Sequence, residues 1–480
     1  MADVKGTTKK AHFIGICGVG MSATAALMRE RGYDITGSAT SCYPPVRDYL
    51  EKHNLLTFED HKRSNVPQDA EVVVAGASAA LDRTQNEEVD EAHVRGIPVK
   101  TFPEVLDEIT RDKENIVIAG SYGKTTCAAL IAWMLYHRGK DPGYFIGALV
   151  PQLPAHGHLG ANAVFVVEGD EYPTSGIDDR SKFLLFSTHD VLLTSADHDH
   201  VNKFQSHEDY LKPFRKLLAR IPKDGILVAC SDNHHVRALT KDFEGTYVPY
   251  GTDMSFHPLW SAKDIDFANT TSFTLTRRGE DIVNIETRLL GMHNVLNIMG
   301  AAAIVLEKKL LTPEEVASAI REFNGITRRL DSKTDKSTIK VYEGFGSSRE
   351  KAMAAIAAMH AHFPKHRLVV VFEPHAFSWR NKNKLAWYDD AFLEADVVYV
   401  YHPPEIGIQN HEQATHEEIV KRLSESGVNT IPITSEKEGL EKLKQTLQKT
   451  DIVLLLTSGN LGGMVQSLPQ LAETLFPKQP

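Results

Sequence analysis

A lysine followed by two threonines, Lys124-Thr125-Thr126, stands directly after Gly120-Ser121-Tyr122-Gly123. These residue types in this order suit phosphoryl chemistry. Backbone N–H groups and a helix N-terminus attract phosphate oxygens, and the ammonium adds a formal charge. The first threonine offers a hydroxyl to a Mg²⁺ that bridges nucleotide phosphates. The general P-loop has four residues between its glycines, whereas only Ser121 and Tyr122 separate them here. The plain alternative is a strand-to-helix turn with an incidental lysine. Further on, Glu168-Gly169-Asp170-Glu171 closes an apolar run, and Asp197-His198-Asp199-His200 closes another. Carboxylates at a strand's C-terminal edge beside a phosphate loop are where an α/β nucleotide-using domain holds metal and water. Mg²⁺ prefers oxygen, so His198 would be one ligand in a mixed, partly hydrated shell. A packing or surface histidine is the alternative there.

The elements that must position these groups read as alternating strands and helices. The β-branched run 116–119 reads as a buried parallel strand, and the apolar segment 127–135 as the helix after the turn. Upstream, 11–28 reads as a strand, a glycine-rich turn and a small-residue helix. Gly15, Gly18 and Gly20 form a G-x-x-G-x-G arrangement, unlike the dinucleotide fingerprint. A strand at 33–37 leads to Ser38-Ala39, where a dinucleotide site would place a ribose-binding acid. A nucleotide diphosphate without nicotinamide, seated on the helix N-terminus, fits better; tight helix–strand packing is the alternative. Strands at 71–75 and 97–100 complete this part, and the charged 111–114 reads as a linker. Segment 289–304 reads as a turn into a small-residue helix, where a helix cap is the ordinary role for Asn294. Gly325 to Asp331 looks like a hinge into a third α/β part, with strands near 339–342, 367–372, 397–401 and 452–457. Gly459, Gly462 and Gly463 follow the last of these.

With 480 residues the chain exceeds one core. Its net charge of -10 argues against general binding to nucleic acid or anionic membranes. No run approaches the roughly 18 apolar residues of a membrane span. Cys17, Cys42, Cys127 and Cys230 lie far apart with no zinc or redox spacing, so reduced thiols and a cytoplasmic setting are expected.

With its motifs in this order, the chain resembles the Mur ligases, ATP-dependent amide-forming enzymes of peptidoglycan assembly. The resemblance runs from about 11 to 465. It rests on the Gly15–Ser22 loop, Gly120–Thr126, Glu168–Glu171, Asp197-His198, His293-Asn294 with Asn297, and Arg328-Arg329-Leu330-Asp331. It implies an α/β fold of three domains: a Rossmann-like UDP-sugar domain over 1–112, a central ATP-binding P-loop domain with a parallel sheet over 113–325, and a Rossmann-like acceptor-binding domain over 326–480. It implies ATP and Mg²⁺ as cofactors. UDP-N-acetylmuramate and an amino acid or short peptide would be the partners of a monomer or homodimer. By resemblance, Lys124 neutralises the transferring phosphoryl group, Thr125 holds a first Mg²⁺, and Glu168 with His198 holds a second. Gly120, Ser121, Tyr122, Gly123, Thr126, Asn294, Asn297 and Arg329 would bind ATP. Gly15, Gly18, Val19, Gly20, Met21 and Ser38 would bind the UDP-sugar. Gly37-Ser38, Tyr43-Pro44-Pro45, Asp170–Tyr172 and Asp179–Phe183 resemble the branch that attaches the tripeptide L-Ala-γ-D-Glu-meso-diaminopimelate. Attachment of L-alanine is the alternative, and a silent UDP-sugar or nucleotide binder the second.

The chain also departs from the family pattern. Ser121-Tyr122 replaces Thr-His, and Ala39 replaces an Asp. In the third domain Gly344 takes an Asp position, and Ser347 and Ser348 replace two histidines. The acceptor side is therefore expected to differ most.

Overall fold

The computed structural model describes residues 9–76, 84–175, 178–200, 203–403 and 412–478. Three sheets follow one another along the chain. In the first, strands β1 (Lys10–Ile14), β2 (Asp34–Ser38), β3 (Leu56–Phe58), β4 (Ala70–Ala75) and β5 (Val99–Thr101) run parallel in the order β3-β2-β1-β4-β5.

The second sheet holds β6 (Glu114–Ala119), β7 (Gly143–Phe145), β8 (Gly157–His158), β9 (Val164–Glu168), β10 (Asp190–Leu193), β11 (Ile226–Cys230), β12 (Thr246–Tyr250), β13 (Trp260–Phe267), β14 (Thr271–Arg277) and β15 (Glu280–Thr287). Their order is β15-β14-β13-β12-β11-β10-β6-β9-β7-β8. Strand β6 lies parallel between β10 and β9, which places the loop after it in the crevice where an open α/β sheet binds ligands. Ile116, Val117 and Ile118 are completely buried, as a strand covered on both faces requires. The helix Lys124–His137 is buried from Thr125 to Leu135, and Trp133 Nε1 donates to the Ala319 carbonyl at 2.8 Å.

The third sheet holds β16 (Arg329–Ser332), β17 (Lys340–Gly344), β18 (Leu368–Phe372), β19 (Val397–Tyr401), β20 (Thr430–Ile433) and β21 (Ile452–Leu456), in the order β16-β17-β21-β18-β19-β20. Only β16 is antiparallel to its neighbour.

The chain divides into two compact units, one of residues 1–263, 274–285 and 296–323, the other of 264–273, 286–295 and 324–480. The first sheet and strands β6 to β12 of the second thus share a unit, and side chains tie them directly. Ser22 Oγ lies 2.9 Å from His156 Nε2, Ser187 donates to Asp107 Oδ1 at 3.0 Å, and Phe102 stacks on Phe145. The charged 111–114 stretch is no extended linker. A helix runs to Thr110 and β6 begins at Glu114, leaving three residues of turn. No helix among the described residues is long and apolar enough to cross a membrane.

The expectation of four reduced thiols is corrected. Cys17, after β1, and Cys42, after β2, form a disulfide, while Cys127 and Cys230 are buried free thiols. The separation of 25 residues carries no signal in the sequence. The two cysteines meet because β1 and β2 are parallel neighbours whose C-terminal loops leave the same edge.

Candidate active site

The phosphate loop is built by conformations that other residues adopt at a cost. Gly120 (φ +140°) and Gly123 (φ +83°) bracket it, and a Cβ at either would collide with a side chain, Thr194 Oγ1 or Asn297 Oδ1. The extension of β10 holds the loop from below. Tyr122 N donates to Ser195 Oγ at 2.9 Å, Thr194 Oγ1 donates to the Tyr122 carbonyl, and Ser121 Oγ donates to the Asp197 carbonyl at 2.5 Å. Ser121 therefore does structural work in the loop, and Tyr210 OH lies 2.8 Å from its hydroxyl.

Lys124 opens the helix and turns back over the loop. Its Nζ donates to the Gly120 carbonyl at 2.5 Å and to Glu171 Oε2 at 2.7 Å. Burial works against this charge, but Glu171, Asp170 and Glu168 outweigh it and hold the ammonium above its usual pKa. Glu171 is fully buried. Burial would raise its pKa, yet Lys124 and His200 bring it below the usual carboxylate range. Asp170 is held down in the same way, by Lys182 and Lys124, and accepts from Lys182 Nζ at 2.5 Å. Beside them Thr125 Oγ1 donates to Glu168 Oε1 at 2.7 Å, and Gly147 N donates to Glu168 Oε2 at 2.7 Å.

The structure brings Lys124, Thr125 and Glu168 together, but it places His198 differently from expectation. Its Nε2 lies 3.0 Å from the Phe204 carbonyl, and its ring sits among Tyr210 and His207. The histidine that faces the acids is His200, whose Nε2 is 3.2 Å from Glu171 Oε1. His200 takes φ +53°, and its ring also packs edge-on against Tyr172. Asp170, Glu171 and His200 form a potential cation-binding group. Sequence reasoning missed His200 because neighbouring histidines look alike until the backbone turn is known. Lys212, near this region, is exposed and pairs with Asp209.

The first glycine-rich turn is also built from backbone. Gly15 N and Ile16 N both donate to the Ser38 carbonyl, and Gly18 N donates to Gly15 O at 3.0 Å. Those N–H groups are spent within the turn. Val19, Gly20 and Met21 open a helix that has no side-chain cap and no acid in its first turn, as an anion site needs. Ser38 is completely buried, and its hydroxyl donates to Glu88 Oε2 at 2.6 Å and sits 2.8 Å from His61 Nδ1. Glu88 is also 3.3 Å from His12 Nε2 and accepts from Asn65 at 2.9 Å. Ser38 thus belongs to an internal polar network, which its position after a strand did not reveal.

In the second unit, Asn294 Nδ2 donates to the Leu290 carbonyl at 2.9 Å. Arg329 stands 5.3 Å from the Phe345 ring centre. His293 is pushed down to about 4 by burial and by Arg329. Arg328 holds Glu343 Oε1 at 2.8 Å and the Gly459 carbonyl at 2.5 Å. In the divergent loop, Ser348 caps the helix Arg349–His362, and Ser347 Oγ accepts from Lys351 Nζ at 3.0 Å. Glu373 accepts from Thr457 Oγ1 and Leu461 N, and Arg380, nearly fully buried, donates to the His375 carbonyl.

Two family models match the chain: "Mur ligase family, catalytic domain" over residues 10–114 and "Mur ligase middle domain" over 118–305. A UDP-N-acetylmuramate–L-alanine ligase from Geobacter sp. (strain M21) is 32% identical over 458 residues, covering 95% of this chain and 96% of its own. Among solved structures, a UDP-N-acetylmuramate–alanine ligase from Thermotoga maritima matches with a TM-score of 0.77 at 22% identity, over 97% of this chain and 99% of that one. A murein peptide ligase from Psychrobacter arcticus matches with a TM-score of 0.71 at 20% identity, over 97% and 98%. At those identities the two structures report the fold alone. Further sequence relatives at 29% to 31% identity over nearly the whole chain also carry the L-alanine ligase name. They correct the tripeptide acceptor expected from the motifs at 37–45, 170–172 and 179–183. Those motifs sample a few loop residues, whereas the relatives match along the entire length.

Proposed function

We infer that this chain, which belongs to the Mur ligase family, joins L-alanine to the lactyl carboxylate of UDP-N-acetylmuramate. It is an ATP-dependent acid–amino-acid ligase that forms a C–N bond. The names of the relatives matched over nearly the whole chain support this acceptor and this UDP-sugar. The observation that carries the chemistry is the buried Lys124–Glu171 pair under the phosphate loop, with Thr125 and Glu168 beside it.

In this reading the sugar carboxylate attacks the γ-phosphorus of ATP, the bond to the ADP oxygen breaks, and an acyl phosphate forms. The alanine amine then attacks that carbonyl carbon, phosphate leaves, and the amide remains. Little side-chain acid–base chemistry is required; positioning and charge neutralisation dominate. Lys124, held protonated by the acids around it, exchanges its carboxylate partner for phosphate oxygens. The amides of 120–126 cradle the nucleotide, with Asn297 against Gly123, and we assign Asn294 and Arg329 to the nucleotide by family position. Val19, Gly20 and Met21 receive the UDP diphosphate on backbone N–H groups.

The donor set fits a hard cation, since Thr125, Glu168, Asp170 and Glu171 all offer oxygen. Mg²⁺ held there would neutralise phosphate charge. Residues 1–112, 113–325 and 326–480 are assigned to UDP-sugar, ATP and amino acid in turn.

The test is phosphate release from ATP and UDP-N-acetylmuramate with Mg²⁺, across single amino acids. Release stimulated by L-alanine above other amino acids is expected. Equal release with glycine, L-serine and L-alanine would remove the acceptor assignment.

A further inference from the structure

One cluster of metal-ligating side chains lies outside the phosphate site. Asp197, at the end of the β10 extension, and His234 and His235, at the start of the helix His234–Thr240, each offer one ligand atom, and these atoms lie within 4.8 Å of one another. A four-coordinate zinc-type site, with metal–nitrogen bonds of about 2.0–2.1 Å, needs donors roughly 3.3–3.5 Å apart. The exposed His234 has room to close the difference by rotation about its side-chain bonds. The other potential cation group, Asp170 with Glu171 and His200, belongs to the phosphate site already described.

A single residue links the carboxylate to the backbone that carries the histidines. Asn233 Nδ2 donates to Asp197 Oδ2 at 2.8 Å, while Asn233 Oδ1 accepts from His235 N and Val236 N. The same carboxamide therefore aims the acid, as an outer partner of a metal ligand does, and caps the helix turn that carries the two imidazoles. The helix is capped by Asn233, so its start needs nothing from His234 or His235. The two rings nonetheless pack 3.6 Å apart between centres, and His207 brings a third ring to 3.8 Å from His235.

We propose that Asp197, His234 and His235 bind one divalent transition-metal ion of the zinc, cobalt or nickel class, separately from the oxygen-lined site for Mg²⁺. Two imidazoles and one carboxylate favour such ions over Mg²⁺, which prefers oxygen and keeps its waters. The site is open to solvent at His234, so the ion would exchange with the medium. It also touches the phosphate loop, because Ser121 Oγ donates to the Asp197 carbonyl. An ion that draws on Asp197 would thus act on the loop that holds the nucleotide.

Co²⁺ titration of the full-length, untagged chain in millimolar Mg²⁺ tests this: the Mg²⁺ competes for the carboxylate-rich group at Asp170, Glu171 and His200, and any signal left there persists in the variant that lacks His234 and His235. One equivalent of Co²⁺ with visible d–d absorption is expected. Asn233→Ala should weaken Co²⁺ binding by roughly tenfold or more. The double variant His234→Gln/His235→Gln should lose the absorption while its circular dichroism matches the parent. Absence of the band in the parent would overturn the proposal. So would an unchanged band and stoichiometry in the double variant.

Discussion

Two turns of the first unit solve the same geometric problem with different chemistry. After β1 and after β6 the chain leaves a parallel strand, passes through a left-handed glycine (Gly15 at φ +80°, Gly123 at +83°) and opens a helix. The first turn offers backbone amides and no formal charge, and a disulfide from Cys17 bounds it. The second places Lys124 at the first helical position, against three acids. A diphosphate that is only held can rest on amide dipoles. A phosphoryl group that is transferred develops charge, and a fixed ammonium offsets it most where water is excluded. On the proposed function, the difference separates holding a diphosphate from transferring a phosphoryl group within one fold motif.

The sharpest way to break this contrast is Lys124→Ala. Phosphate release should fall about 10³-fold, while affinity for UDP-N-acetylmuramate, read by calorimetry, should stay within about twofold. An equal loss of UDP-sugar affinity would merge the two roles.

Alanine at the two left-handed glycines gives the next largest effect. Gly15→Ala meets open space and should cost only the backbone term, about 1–2 kcal/mol. Gly123→Ala adds a collision with Asn297 and should cost about 2–4 kcal/mol. Urea unfolding of both variants, side by side, measures the difference. Equal costs would mean that Asn297 yields.

His158 couples the neighbourhoods of the two turns. It lies 3.0 Å from Glu30, at the end of the helix begun by the first turn, and 2.8 Å from Asp141, beyond the helix begun by the second. The hydrogen bond to Glu30 leads in raising its pKa from 6.5 to about 9; burial opposes it and Asp141 adds to the rise. Because the folded value exceeds the unfolded one, this contribution is fully present below pH 6.5 and disappears as pH rises to about 9. With its side chain 22% exposed, the step should amount to about 2 kcal/mol after allowance for solvent screening. Denaturation at pH 6 and pH 9.5 should show it, and His158→Gln should flatten it. A full-sized step in that variant would assign the pH dependence elsewhere.

The phosphate loop, the acids after β9 and the succession of three α/β sheets were legible because their signals are local. A β-branched run, a glycine before a helix and a lysine after it each constrain the backbone within a few residues. The same locality misled where short loop motifs were matched to a peptide acceptor. Three side-chain partnerships were illegible. Cys17 and Cys42 meet only through strand pairing, Ser38 turns inward to Glu88 from a distant helix, and His200 rather than His198 faces Glu171.

The sequence by itself therefore determined the α/β class, the succession of three sheets, and the glycine–lysine turn after β6. Those depend on backbone preference and hydrophobic period, which act over neighbouring residues. Tertiary structure alone decided which acid holds Lys124 charged, which histidine joins it, and which cysteines pair. Each such partner is chosen by the order of strands in a sheet and the direction of a loop, and distance along the chain does not encode either.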